Sequence, residues 1–357
     1  MGKIKVLIVD DSAVIRKMLT RIVSSSTDME VVGVAPDPYV ARDLLVQHKP
    51  DVITLDVEMP RMDGISFLEK VMGHFPTRTL IISSLTRQGS EMALRALEVG
   101  AVDVIEKPSL DVMSTMESLT QMIQEKIRMV ARSRLPVPGQ VPAAARAAQV
   151  NATAGKAAGS LAKTTHQLIA VASSTGGTEA LKVFLSGFPA DLPGTVIVQH
   201  MPPGFTKTYA ESLNRRYPFE VKEAEEGDKV VPGRVLIAPG NFHMEITRSG
   251  GYYHVHLHQQ PLLHGVRPAA DFLMKSVAKH AGKNAIGVVL TGMGRDGAEG
   301  LLEMKNVGAY NIAQNEETCV VYGMPGAAVA AGAIDKILPL GNISADVLQQ
   351  LRKKEAA

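Results

Sequence analysis

Ten short apolar runs, separated by segments of helix length, constrain this chain more than any other feature. Five of them, KVLIV, EVVGV, DVITL, TLIIS and VDVIE, lie before residue 131. Five more, QLIAVA, TVIVQ, RVLIAP, AIGVVLT and AYNIAQ, follow residue 163. Near-continuous apolar strands alternating with helical patterns are what a parallel sheet covered on both faces requires, because each strand must return through a helix to pair in the same direction. The predicted fold class is therefore α/β, with two doubly wound parallel-sheet domains at 1–130 and 164–357. Between them, 131–163 loses the apolar period and fills with Ala, Pro and Gly (RSRLPVPGQVPAAARAAQVNATAGKAAGSLAK), which predicts a linker. One interruption, FHMEITRSGGYYHVHLH at 242–258, has two alternating runs around SGG and predicts an inserted β-hairpin.

The 357 residues are enough for two cores of ordinary size. With 38 basic and 36 acidic residues the net charge is +2, too small for a whole-protein field that would gather nucleic acid or a lipid surface. A single cysteine, Cys319, excludes an internal disulfide framework and a multi-cysteine zinc site. The start, MGKIKVLIVDD, has its apolar run broken by aspartates too early for a signal-peptide core, and no stretch reaches the 18 or so apolar residues of a membrane span. The expectation is a cytoplasmic protein without membrane insertion and without a nucleic-acid partner.

In an open parallel sheet, functional residues gather beyond the carboxyl ends of the strands. In the first block those positions carry Asp10 and Asp11 after KVLIV, Asp56 at the end of DVITL, Ser83 after TLII and Lys107 after VDVIE. Each aspartate alone reads as a helix cap. Together, three carboxylates would repel without a cation, and Mg²⁺ takes oxygen ligands of this kind. A carboxylate beside such an ion and a lysine suits acceptance of a phosphoryl group.

The same survey of the second block finds Ser174 after QLIAVA, His200 after TVIVQ and Asp296 in TGMGRDGAEG after AIGVVLT. That is the inventory of a nucleophile, a general base and the group orienting the base. A serine at a helix start also has unpaired amides nearby for an oxyanion, and Gly176 and Gly177 permit a tight turn. The order Ser, His, Asp and the absence of G-x-S-x-G around Ser174 separate it from the α/β-hydrolases. Singly, Ser174 reads as a helix cap, His200 as a packed strand-end histidine and Asp296 as the cap of the helix after it. A rival reading uses Gly292, Gly294 and Gly297, which match G-x-G-x-x-G after a strand, with Glu316 and Glu317 about 20 residues on; it predicts a nucleotide-dependent oxidoreductase. That fingerprint normally opens its domain, whereas here it comes late and leaves Ser174 and His200 without a role. His254, His256 and His258 share one strand face, with His264 nearby, and read as a polar sheet face in preference to a metal site.

Two resemblances add to this reading. VDDS (9–12), LDVEMPRMDG (55–64), SSLT (83–86) and EKP (106–108) resemble the response-regulator receiver domain, a flavodoxin-like fold, over about residues 3–128. The resemblance implies phosphorylation at Asp56, Mg²⁺ held by Asp10, Asp11, Asp56 and the Glu58 carbonyl, and contacts from Ser83 and Lys107 to the phosphoryl oxygens. It departs at Val104, where many receivers carry an aromatic switch residue. IAVASSTGGTEAL, IVQHMPPGFT (197–206), VLIAPGNFHM (235–244) and LTGMGRDGAEGL (290–301) resemble the methylesterase domain of the chemotaxis protein-glutamate methylesterases, here Rossmann-like with the inserted hairpin. This second resemblance implies Ser174 as nucleophile, His200 as base and Asp296 as its partner, with Ser173 in reserve because the family commonly has a small residue there. It further implies hydrolysis of glutamate methyl esters on chemoreceptors with release of methanol, deamidation of receptor glutamines, a chemotaxis histidine kinase as phosphoryl donor, and no cofactor for the esterase domain.

Overall fold

The structure is a computed structural model that describes residues 2–59, 63–107, 116–135 and 167–356. Most of the expected linker therefore lies outside the described residues. The chain divides into two compact units, Met1–Pro138 and Gly139–Ala357.

The first unit is a five-stranded parallel sheet in the order β2-β1-β3-β4-β5, formed by β1 (Ile4–Val9), β2 (Met29–Ala35), β3 (Val52–Asp56), β4 (Arg78–Ser83) and β5 (Asp103–Glu106). The helices are α1 (Ala13–Ser24), α2 (Pro38–His48), α3 (Gly64–His74), α4 (Arg87–Val99) and α5 (Met116–Arg132). Four of them start on side-chain caps: Ser12, Asp37, Asp63 and Thr86 each accept a first-turn amide, an arrangement worth about 1 kcal/mol per helix. Helix α5 continues two residues past the expected boundary at 130. Each apolar run of this block became one strand, and β3 is buried along its whole length.

In the second unit a seven-stranded parallel sheet runs β15-β14-β13-β6-β7-β10-β8. Its strands are β6 (Leu168–Ser173), β7 (Gly194–Gln199), β8 (Glu220–Glu223), β10 (Arg234–Ile237), β13 (Ala285–Val289), β14 (Tyr310–Gln314) and β15 (Lys336–Leu338). The five apolar runs of the sequence became β6, β7, β10, β13 and β14. The two edge strands, β8 and β15, carry no apolar run (EVKE, in which Val221 alone is buried, and KIL, half-buried or exposed), which is why periodicity missed them. Helices α6 (Gly177–Leu185), α7 (Phe205–Asn214), α8 (Ala270–His280), α9 (Ala298–Asn306), α10 (Met324–Ala330) and α11 (Leu340–Ala356) complete the unit. The order reverses at β6: the chain proceeds from it to β7 on one side and later returns to β13 on the other. A crevice opens at such a point beyond the strand ends.

The hairpin expected at 242–258 is present as β11 (His243–Ser249) and β12 (Tyr252–His258), in register from His243↔His258 to Ser249↔Tyr252. A short strand, β9 (Lys229–Val230), joins its edge and makes a three-stranded antiparallel sheet. Val230, Met244, Ile246, Tyr253 and Val255 face the core of this unit.

Candidate functional site

Two strand-end clusters stand out, one in each unit. In the first, Asp56 ends β3 and Asp10 follows β1, and both are buried, whereas Asp11 is exposed. One carboxylate oxygen from each of Asp10, Asp11 and Asp56 lies within 4.8 Å of the others. Lys107, just after β5, places Nζ 2.7 Å from Asp56 Oδ2 and 3.3 Å from Asp10 Oδ2. The Glu58 amide donates to Asp56 Oδ1 at 3.0 Å, and its side chain accepts from the Ser84 and Thr86 hydroxyls. Ser83 is fully buried and donates to the Gly89 carbonyl at 3.0 Å. Val104 is buried in β5.

Burial, with a smaller rise from the Asp10 charge, outweighs the lowering by the Lys107 hydrogen bond and charge and the Glu58 amide, and leaves the Asp56 carboxyl pushed up to about 6. Asp10 is raised for the same first reason, burial. For Lys107 burial works downward, but its hydrogen bond to Asp56 and the charges of Asp56 and Asp10 win and raise it. Asp10 Oδ2 accepts no well-directed hydrogen bond despite the nearby ammonium. Crowded, raised carboxylates with an unsatisfied oxygen are the donor set that a hard divalent cation relieves, so these residues fit Mg²⁺.

The second cluster is built by β6, β7 and the loop after β13. Strands β6 and β7 pair in parallel up to Ser173↔Gln199, so the next residue of each, Ser174 and His200, emerge side by side; the His200 amide donates to the Ser173 carbonyl at 3.2 Å. Ser174 begins the turn into α6, whose cap, Gly176 (φ 73°), offers no side chain to the first-turn amides. Glycine is required there by the left-handed backbone and by the Val320 side chain, which a Cβ would strike. Gly292, opposite, could not carry a Cβ without striking Met324 and Ser174.

His200 Nε2 lies 2.8 Å from Asp296 Oδ2. Asp296 also accepts the amides of Ala270 at 2.6 Å and Asp271 at 3.0 Å, the first turn of α8. The aspartate thus does cap a helix, but α8, which precedes it in the chain, and not the helix that follows it. Burial pushes its carboxyl up; the His200 hydrogen bond and charge, then the two amides, outweigh this and hold it below the ordinary carboxylate value. It is an ionised, triply bonded acceptor at neutral pH.

Ser173 is fully buried, and its hydroxyl donates to Gln199 Oε1 at 2.7 Å. Gln199 Nε2 in turn donates to the Ser174 carbonyl at 2.9 Å. Ser173 is therefore engaged in holding the turn. Gln199 was not singled out from sequence, although its place directly before His200 at a strand end was a usable signal. Within the G-x-G-x-x-G stretch, Asp296 is committed to His200 and α8. The strand-face histidines meet carboxylates that sequence spacing did not bring near: His256 faces Glu226 at 3.1 Å and His258 faces Glu245 at 3.4 Å.

One unit thus carries an acidic pocket beyond its strand ends, and the other a serine, a histidine and an aspartate beyond the strand ends of its sheet. Residues 169–347 match the CheB methylesterase family and residues 6–124 the response regulator receiver domain. A protein-glutamate methylesterase/protein-glutamine glutaminase of Bdellovibrio bacteriovorus is 69% identical over 356 residues, covering 99% of each chain. A second protein of that description, from Pseudomonas aeruginosa, is 51% identical over 351 residues and 98% of each chain. The crystal structure of the Thermotoga maritima CheB methylesterase catalytic domain, 39% identical, covers 52% of this chain and 98% of that one with a TM-score of 0.51. The chain belongs to the CheB methylesterase family and carries a receiver domain. Among the described residues, no helix is long and apolar enough to cross a membrane.

Proposed function

We infer that the chain hydrolyses glutamate methyl esters of chemoreceptors, and deamidates receptor glutamines, with Ser174 as nucleophile, His200 as base and Asp296 as its orienting partner. The observation that supports this most is the 2.8 Å contact between His200 Nε2 and Asp296 Oδ2 beside the strand end that presents Ser174. With Nε2 committed to the aspartate, Nδ1 is the nitrogen that takes the serine proton. Ser174 Oγ then attacks the side-chain carbonyl of the substrate, and amides at the start of α6 face the developing oxyanion. The proton passes from His200 to the leaving methoxide, giving methanol, or to the leaving amide of glutamine, giving ammonia. Water, deprotonated by the same imidazole, attacks the acyl-serine and releases glutamate. The oxidoreductase alternative would need the loop that Asp296 already fills. Arg295 and Lys207 are exposed at this edge and suit an acidic receptor surface. Arg267, in contrast, donates to Asn241 Oδ1 and to the Gln259 and Gln260 carbonyls.

In the receiver, Asp56 accepts a phosphoryl group from a chemotaxis histidine kinase: its carboxylate oxygen bonds phosphorus as the donor's bond to phosphorus breaks. Lys107 neutralises the transferred charge, and the Ser83 hydroxyl turns from Gly89 to a phosphoryl oxygen. Asp10, Asp11 and Asp56, with the Glu58 carbonyl, would hold Mg²⁺, which supplies charge neutralisation. Because Asp56 is raised to about 6, the folded receiver binds a proton more tightly than the unfolded chain, so this group costs stability as pH rises from about 4 through 6. Asp56→Asn is expected to raise receiver stability at pH 7 in chelator by about 1 to 3 kcal/mol. Adding Mg²⁺ should raise the melting temperature of the wild type far more than that of the variant. Equal Mg²⁺ shifts in both would remove Asp56 from the ligand set.

Because the chain joins the two units covalently, the receiver stays at high local concentration around the esterase unit, and a phosphoryl charge on Asp56 can shift an inhibitory equilibrium. The fragment from residue 160 onward is expected to match or exceed the methanol release of the unphosphorylated whole chain. Substantially lower activity in the fragment would contradict this form of control.

A further inference from the structure

Beside the His200–Asp296 pair stands a second histidine–aspartate pair that no step above uses. His264 Nε2 lies 2.8 Å from Asp271 Oδ2. Asp271 is fully buried, and its other oxygen accepts the Gly300 amide at 2.8 Å. Its own amide is one of the two that Asp296 accepts. One ligand atom from each of His264, Asp271 and Asp296 falls within 4.8 Å of the others. Every carboxylate oxygen of this group already accepts a hydrogen bond, which argues for a bonded relay and against an ion site.

The backbone around His264 is built to deliver that imidazole. Leu263 and Val266 bond each other reciprocally, Leu263 N to Val266 O at 3.3 Å and Val266 N to Leu263 O at 3.0 Å, around a two-residue tip. Both tip residues, His264 (φ 53°) and Gly265 (φ 77°), are left-handed, the conformation of a tight hairpin turn. A non-glycine residue held there is mildly strained, and such strain persists where surrounding contacts over-determine it. The contacts are those of Arg267, whose guanidinium ties the loop to Asn241, Gln259 and Gln260. Asp271 needs this partner, because a buried carboxylate left with a single amide donor would lose the compensation for its desolvation.

We propose that His264 is a positioning residue: by donating from Nε2 to Asp271 it fixes the first turn of α8, whose two amides hold Asp296 in register with His200. The proposal rests on the reading of Ser174, His200 and Asp296 as the reacting set. A small rotation of the α8 terminus would misplace the imidazole relative to the serine, and displacements of that scale lower turnover without altering substrate capture.

The test is steady-state methanol release by the full-length chain from methylated receptor membranes, with thermal melting of each variant. His264→Ala is expected to lower kcat by about 10- to 100-fold with KM within about twofold. His264→Gln, whose amide nitrogen takes the place of imidazole Nε2, should recover kcat to within about threefold of wild type; His264→Asn, whose shorter amide takes the place of Nδ1, should not. Unchanged kcat in His264→Ala, a loss carried by KM alone, or equal kcat in the Gln and Asn variants would overturn the proposal. If the alanine variant fails to fold, the Gln and Asn pair decides. Ser174→Ala, run alongside, separates the two readings: activity surviving that change refutes the reacting set itself, whereas a dead Ser174→Ala with a fully active His264→Ala refutes only the role of His264.

Discussion

Replacing Ser174 with alanine is expected to reduce methanol release by about four orders of magnitude or more, because without the hydroxyl no acyl intermediate can form and only binding and oxyanion contacts remain. Fold should be retained: the backbone contacts that shape the turn, Ser174 N to Thr291 O at 3.0 Å and Gly177 N to Ser174 O at 2.7 Å, do not use the side chain. Ser173→Ala provides the contrast. Its hydroxyl is spent on Gln199 inside the sheet edge, so its loss should cost a hydrogen bond of about 1 kcal/mol in stability and leave activity within a few-fold. Rates measured side by side on purified proteins, with melting curves, check both. A Ser173→Ala variant as inactive as Ser174→Ala would move the nucleophile by one residue.

The second large effect belongs to Asp296→Asn. Asp296 accepts three hydrogen bonds, from His200 Nε2 and from the Ala270 and Asp271 amides. An asparagine has one acceptor oxygen and one donor nitrogen, so one side of the group must face a donor with a donor. If its oxygen stays with Asp271, the amide nitrogen opposes both His200 and Ala270. If it flips, the oxygen still accepts from Ala270 and, as a weaker partner, from His200, but the amide nitrogen opposes the Asp271 N–H and the first turn of α8 loses half of its cap. Turnover is expected to fall by about 10³- to 10⁴-fold, since the imidazole loses its fixed tautomer and the charge that stabilises its protonated form. Stability should fall by about 1 to 3 kcal/mol through the opposed amide. Asp296→Glu retains the charge but cannot place it, and should rescue neither. A variant with normal turnover would show that His200 does not depend on this carboxylate.

How far the sequence carried depends on the kind of interaction. Apolar runs buried on both faces, such as QLIAVA and AIGVVLT, announced the central strands because burial writes itself as composition. Edge strands β8 and β15 did not, since a half-exposed strand held by one neighbour needs no apolar run. Ser174, His200 and Asp296 were legible as strand-end residues because a parallel sheet brings such positions together whatever their separation in the chain. The support behind them was not. Gln199 holding two serines at once, Asp296 capping α8 from a later loop, and His264 reaching Asp271 from a left-handed turn are contacts between loops, and no periodicity specifies where a loop will aim its side chain. The receiver pocket was legible for the same strand-end reason, while the raised state of Asp56 follows from its burial, which outweighs the lowering by Lys107 and is not written in the sequence.

The most direct test of the central claim is to trap the intermediate. A peptide carrying a glutamate methyl ester, mixed with the enzyme and quenched in acid within one turnover, should leave an adduct equal to the peptide less methanol. After tryptic digestion that mass should sit on the segment 164–182, and fragmentation should place it on Ser174. An adduct on Ser173 or on any other side chain would contradict the account.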